Sequence, residues 1–286
     1  MTKQFMEYTI NIKGRLFDLS RPCVMGILNA TPDSFYAGSR VQTEREIAER
    51  AETILREGAA IIDVGAFSTR PGATEVDEKE EMRRLHTALS IVRKEHPEAI
   101  ISVDTYRPNV ARMAVETYGA DLINDVSEGG ITGIADTPIH EQGSMFATVA
   151  ALRVPYILMS VRSTLRDMMI SWSREIQMLR DLGQKDIILD PGFGFGKTVE
   201  QNYAIMKEMD RLQTFRLPIL VGISRKRMIQ HVINTTADES LNGTTALNTL
   251  ALTKGAAILR VHDVREAVEA VAIYDAMTRP AFTFKS

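Results

Sequence analysis

The chain holds 286 residues, 44% of them apolar and 25% charged, with a formal net charge of −3. That balance suits a globule with a large core, and a slightly acidic chain speaks against broad binding to nucleic acid or anionic membrane. The lone Cys23 cannot close an intramolecular disulfide, no apolar run reaches the ~20 residues of a bilayer span, and Met1 to Ser20 lacks a secretion-signal core, so a cytoplasmic protein is expected.

Tyr8 to Leu19 reads as two short strands around Lys13-Gly14-Arg15, a hairpin suited to covering the floor of a larger sheet. Eight short apolar runs follow: 24–30, 61–65, 100–105, 122–126, 156–160, 187–190, 219–224 and 258–262. They read as continuously apolar, the pattern of parallel strands buried on both faces. Segments of helical period lie between them. In the first, Thr43 and Glu46 form a T-x-x-E capping box, Ile47, Ala51, Ile54 and Leu55 share one face, and Gly58 can end the helix. The run from Asp77 to Arg84 reads as a solvated helix start, and 127–143 as a long loop or one with an extra short helix. A doubly wound open sheet has the same local pattern, but eight units favour a closed (β/α)8 barrel in one domain over residues 1–286.

Seven of the eight runs, all but the fifth, end on polar or turn-forming residues: Asn29, Gly65 with the loop after it, Asp104, Asn124-Asp125, Asp190, Ser224-Arg225-Lys226, and Arg260 with His262. Taken singly, each also reads as a helix cap or turn former. Taken together, in a barrel, they share the mouth where catalytic groups gather. Gly192 to Thr198 imitates a phosphate loop, but Pro191 stands where Walker A needs glycine, and Lys197 stands where the dinucleotide fingerprint needs its third. These glycines therefore read as sharp turns that let backbone approach a ligand. With five histidines and no His/Cys cluster, structural zinc is not expected.

With those residues in view, the chain resembles dihydropteroate synthases. The likeness runs through Met25-Gly26-Ile27-Leu28-Asn29, Thr31-Pro32-Asp33-Ser34-Phe35, Ser68-Thr69-Arg70-Pro71-Gly72-Ala73, Ser102-Val103-Asp104-Thr105, Asn124-Asp125, Leu189-Asp190-Pro191-Gly192, Gly222-Ile223-Ser224-Arg225-Lys226 and Arg260-Val261-His262. It implies displacement of pyrophosphate from 6-hydroxymethyl-7,8-dihydropterin pyrophosphate by p-aminobenzoate. It also implies a pterin set of Asp104, Asn124, Asp190, Lys226 and Gly222, with Asn124 supplying both a donor and an acceptor. The pyrophosphate set would be Asn29, Arg70, Arg260 and His262, with Mg2+ on Asn29. Thr69, Arg70, Pro71, Phe195, Lys226 and Arg227 would hold p-aminobenzoate, its carboxylate resting on backbone N–H groups near Ser224 to Arg227. Lys226, Asp104, Arg260 and His262 would carry the chemistry, a dissociative substitution needing no Ser/His/Asp nucleophile.

The resemblance further implies inhibition by sulfonamides, and a homodimer built on late helices near Glu239 to Lys254. The chain departs from the family pattern at Ala37, at Ala66-Phe67 (usually Gly-Glu), at Ser160 (usually His) and at Arg227 (usually Ser). Three rivals share parts of the pattern: a corrinoid-type methyltransferase domain, a non-catalytic pterin-binding paralogue, and an aldolase-like barrel. The first needs no Arg70, Arg260 and His262. The second draws on Phe67 and Ser160, and the third would need a Schiff-base lysine, for which Lys226 is the near candidate.

Overall fold

The computed structural model describes residues 8–30, 40–66, 76–130 and 144–278, without the side chains of 40–43 and 144. A hairpin of β1 (Thr9–Ile12) and β2 (Arg15–Asp18) precedes eight barrel strands. These are β3 (Cys23–Asn29), β4 (Ile61–Gly65), β5 (Ile100–Asp104), β6 (Leu122–Asp125), β7 (Tyr156–Met159), β8 (Ile187–Asp190), β9 (Ile219–Val221) and β10 (Ala256–Val261). All are parallel, and β10 pairs with β3 to close the ring. The barrel expected from the count of eight is present.

Helices cover the outside: α1 (Arg40–Arg56), α2 (Glu78–Glu95), α3 (Pro108–Tyr118), α4 (Ser144–Leu152), α5 (Leu165–Asp181), α6 (Val199–Glu208), α7 (Arg227–Ile233), α8 (Leu241–Thr253) and α9 (Val264–Thr278). The Thr43–Glu46 capping box is overturned, because α1 already runs from Arg40 and Thr43 lies inside it. Its other end agrees with expectation, since Gly58 has φ +98°. The Asp77–Arg84 run does open a helix, with Asp77 accepting from the Glu80 N–H, but it is not wholly solvated. Glu81 and Arg84 are buried. Glu81 stands four residues before Leu85, so helical period carries it onto the inner face. Of 127–143, residues 131–143 lie outside the described set, and Glu128–Gly130 form a single 3-10 turn.

The hairpin closes the floor as expected. Ile10, Ile12 and Leu19 pack with Met25, Ile61, Leu122, Ile157, Ile188, Leu220 and Ile258 at the N-terminal end of the barrel. Burying three such side chains contributes on the order of 5 kcal/mol as an upper estimate. Lys13 adds an ion pair to Asp121, and the Asn11 N–H donates to Asp186.

The strands are not continuously apolar, and here the expectation fails. Alternate residues face the barrel axis, and along them polarity rises from floor to mouth. The inward series read Ile61-Asp63-Gly65, Ile100-Ser102-Asp104, Leu122-Asn124, Ile188-Asp190 and Ile258-Arg260, as the contacts across the lumen require. The residues between them, such as Ile62, Val64, Ile101, Val103, Ile123 and Leu189, pack outward in the core that includes helix residues. An apolar strand with one inward charge is nearly indistinguishable by composition from one with none.

Candidate active site

At the mouth, β10 sends Arg260 across the lumen. Its Nε donates to Asp63 Oδ2 at 2.6 Å and its Nη2 to Asp104 Oδ2 at 2.7 Å. Asp63 Oδ2 also accepts from Asn124 Nδ2 at 3.1 Å. One guanidinium thus ties β10 to β4 and β5, and Asp63 extends the link to Asn124 on β6. Two carboxylates share that one cation in a water-poor interior. Burial, with Asp63 and more distant carboxylates adding repulsion that Arg260 only partly offsets, pushes Asp104 up to about 7.

Four polar atoms of this layer are buried with no hydrogen-bond partner among the described residues: Asp63 Oδ1, Ser102 Oγ, Asp104 Oδ1 and Asn124 Oδ1. Leaving such an atom unpaired costs ~1–3 kcal/mol, so their concentration on three neighbouring strands points to a ligand surface. With the carboxylates ionised, three of them can only accept. The complementary ligand edge is one rich in N–H donors.

Asp190 closes the far side from β8. Its Oδ1 accepts the Gly192 N–H at 2.8 Å, and burial raises its pKa against the pull of Lys226. Gly192 is obligatory here. Its φ is +64°, and a Cβ would lie 2.3 Å from the Ser160 carbonyl oxygen. Lys226 follows β9. Its Nζ donates to the Phe193 carbonyl and stands 4.6 Å above the Phe195 ring. Burial drives Lys226 down to about 7, with Asp190 opposing and Arg260 and Lys197 reinforcing.

The Gly192–Thr198 segment is no phosphate loop. Lys197 Nζ is spent on the carbonyls of Ser160, Gly192 and Phe195 at 2.9, 2.8 and 3.2 Å. Thr198 and Gln201 form a capping box that uses the first N–H groups of α6 internally.

His262 Nδ1 lies 3.0 Å from Ser224 Oγ, and its carbonyl accepts from Arg50. Asn29 is exposed at the end of β3. A Cβ on Gly65 would sit 3.7 Å from Asn29 Oδ1 and 3.8 Å from Asp104 Oδ2, so the missing side chain leaves an opening between them. Gly222 lines the stem of Arg260, at 3.8 Å by the same measure. Arg227 is exposed and opens α7. Of the backbone donors expected there, two are already taken: the Arg225 N–H by Thr244 Oγ1 and the Lys226 N–H by the Ile223 carbonyl.

The structure therefore brings Asn29, Asp104, Asn124, Asp190, Gly222, Lys226, Arg260 and His262 to the barrel's one C-terminal end. Thr69, Arg70, Pro71, Phe67 and Ala37 lie outside the described residues. Arg260 sits in the same polar layer as Asp104 and Asn124, with two of its three nitrogens on carboxylates. Asn124 has one of its two amide N–H donors on Asp63, and its oxygen has no partner among the described residues. Ser160 is buried, donating to Glu128 and receiving the Arg162 N–H. Asp63 was missed altogether, and its signal was the one charge inside Ile61-Ile62-Asp63-Val64. Glu81 was missed too. It accepts from Thr105 Oγ1 and Arg107, and Arg107 in turn holds the Val76 carbonyl.

A comparison with known families matches residues 25–262 to the family described as pterin binding enzyme. The dihydropteroate synthase of Escherichia coli K12 is 37% identical over 273 residues, covering 92% of this chain and 94% of that one. The chain belongs to the dihydropteroate synthase family. Among solved members, the Xanthomonas albilineans synthase with 4-aminobenzoic acid superposes with a TM-score of 0.85 at 33% identity, covering 96% of this chain and 99% of that one. The Yersinia pestis synthase in a sulfonamide drug complex gives 0.80 at 33% identity, with 94% and 99% covered. Family membership disposes of the aldolase-like rival.

Proposed function

We propose that this barrel condenses 6-hydroxymethyl-7,8-dihydropterin pyrophosphate with p-aminobenzoate, yielding 7,8-dihydropteroate and pyrophosphate as a folate-pathway transferase. The observation that carries the reading is the pair of unpartnered acceptors at Asp104 and Asn124, facing Asp190 and Lys226. A pterin's amino-pyrimidinone edge presents adjacent N–H donors, which such acceptors match. Lys226 donates to pterin acceptors, and the Phe195 ring beside it offers an apolar face to the benzoate.

The bond from the pterin methylene carbon to oxygen breaks first, and its electron pair leaves with pyrophosphate. His262, Arg70 and the outer nitrogen of Arg260 stabilise that departing charge. Asp104 and Asp190 stabilise the cation left on the conjugated pterin. The neutral arylamine then forms the C–N bond and loses a proton, so positioning matters more than a strong base. A divalent metal fits this site in a restricted way. Among the described residues no cluster of three His, Cys, Asp or Glu side chains could cage one, but Asn29 offers an exposed amide oxygen beside the Gly65 opening. Mg2+ commonly keeps several waters and takes phosphate oxygens, so one protein oxygen suffices, and when bound it would neutralise pyrophosphate charge.

Sulfonamides, as benzoate mimics, compete for the Phe195–Lys226 face. The protein pairs as a homodimer through its late helices, where Leu250, Ile273 and Met277 are exposed on α8 and α9. The deciding assay follows dihydropteroate and pyrophosphate release from both substrates with Mg2+. Turnover supports the reading, binding without turnover favours a non-catalytic paralogue, and absence of binding defeats it.

A further inference from the structure

We propose that Asp63 is a positioning residue that fixes the Asn124 side-chain amide, so that the pocket presents an oxygen rather than an NH2 to the pterin. Asp63 lies wholly buried on β4, one layer below the mouth, and is paired with Arg260. Its carboxylate has no hydrogen to give, so the Asn124 atom 3.1 Å from its Oδ2 is the NH2 group. An amide on its own has little preference between its two flipped orientations, because the terminal torsion is broad and two-fold. Asp63 removes that degeneracy. The consequence is visible in the same side chain, since Asn124 Oδ1 is buried and unpartnered among the described residues, beside the equally unpartnered Asp104 Oδ1.

The hold on Arg260 works in the same direction. By taking Nε at 2.6 Å, Asp63 leaves Nη2 to occupy only one oxygen of Asp104. Asp104 Oδ1 then stays available. One buried carboxylate thus aligns two acceptors that come from two other strands, and the specificity of the pocket for a donor-rich edge follows from this alignment. A mismatched edge would face oxygen against oxygen in a site that cannot relax.

The inference rests on Asn124 facing the pterin, and the test separates the two claims. Titration calorimetry compares 6-hydroxymethylpterin with its 2-oxo counterpart on wild type, Asp63→Asn, Asn124→Ala and the double variant. Asp63→Asn should lower the preference for the 2-amino ligand by about tenfold or more, whereas general loosening would weaken both ligands alike. On the Asn124→Ala background the same change should have little further effect. An undiminished preference in Asp63→Asn, or a full additional loss in the double variant, overturns the positioning role while leaving the pterin reading intact. An Asn124→Ala protein that binds and discriminates like wild type overturns both. If Asp63→Asn does not fold, hydrogen exchange of the 15N-labelled Asn124 side chain decides. The ligand-free wild type should show one protected amide N–H, and fast exchange of both would overturn the proposal.

Discussion

Replacing Asp190 by alanine separates binding from folding. The carboxylate has one oxygen on the Gly192 N–H and, in the function proposed above, would meet the donor edge of the pterin with its remaining capacity. Hydrogen bonds to a charged acceptor are worth ~1.5–3 kcal/mol each, so losing a pair predicts ~3–6 kcal/mol, and sharing with Gly192 favours the lower end. Pterin affinity should therefore fall by about 100-fold or more. The fold loses one partner of a buried N–H, ~1–3 kcal/mol, which a domain of ordinary stability survives. Asp190 also holds up the charge of Lys226, which would drop below its already lowered value of about 7. Asp190→Asn provides the contrast. It restores an acceptor for Gly192 but opposes donor to donor at the pterin, so stability should recover while binding does not. Calorimetric titration with a pterin, beside urea unfolding of both variants, reads the two effects. Binding within about threefold of wild type in the alanine variant, a difference below 1 kcal/mol, would refute the assignment. Normal binding by the asparagine variant would refute it equally.

Asp104, raised to about 7 by burial, should make pterin binding pH-dependent. The donor edge prefers the carboxylate, so affinity should rise as pH increases through about 7, with proton release measurable by calorimetry in buffers of different ionisation enthalpy; proton uptake would contradict this. Gly192→Ala should destabilise the barrel by about 2 kcal/mol or more, because it combines a left-handed backbone with a Cβ 2.3 Å from the Ser160 oxygen. Its urea midpoint should fall, and an unchanged midpoint would show that the loop can shift freely. Glu175 is buried beside Glu128 and raised to about 8 by burial and by that neighbour. A raised carboxyl holds its proton in the native state when the unfolded chain has released it, so stability should decline as pH rises from the ordinary glutamate range to about 8. Glu175→Gln should flatten that decline in thermal melts at pH 6 and pH 8.5, values chosen to bracket the transition.

The sequence alone determined the architecture, because eight apolar runs alternating with helical segments leave few ways to bury every strand edge. It also determined which residues stand at the mouth, since a strand ends where its apolar run ends. Asp104, Asn124, Asp190, Lys226 and His262 were legible for that reason. The assignments within the mouth belonged to the tertiary structure. Asp63 is one inward charge in an apolar pentapeptide, and its importance depends on Arg260, 197 residues away, reaching it across a closed barrel. Glu81 looked like part of a solvated run until the packing of α2 against the barrel fixed which helical face was inside. The Asn124 amide has no preferred direction in the sequence at all; a neighbour that can only accept decides it, and that neighbour comes from a different strand.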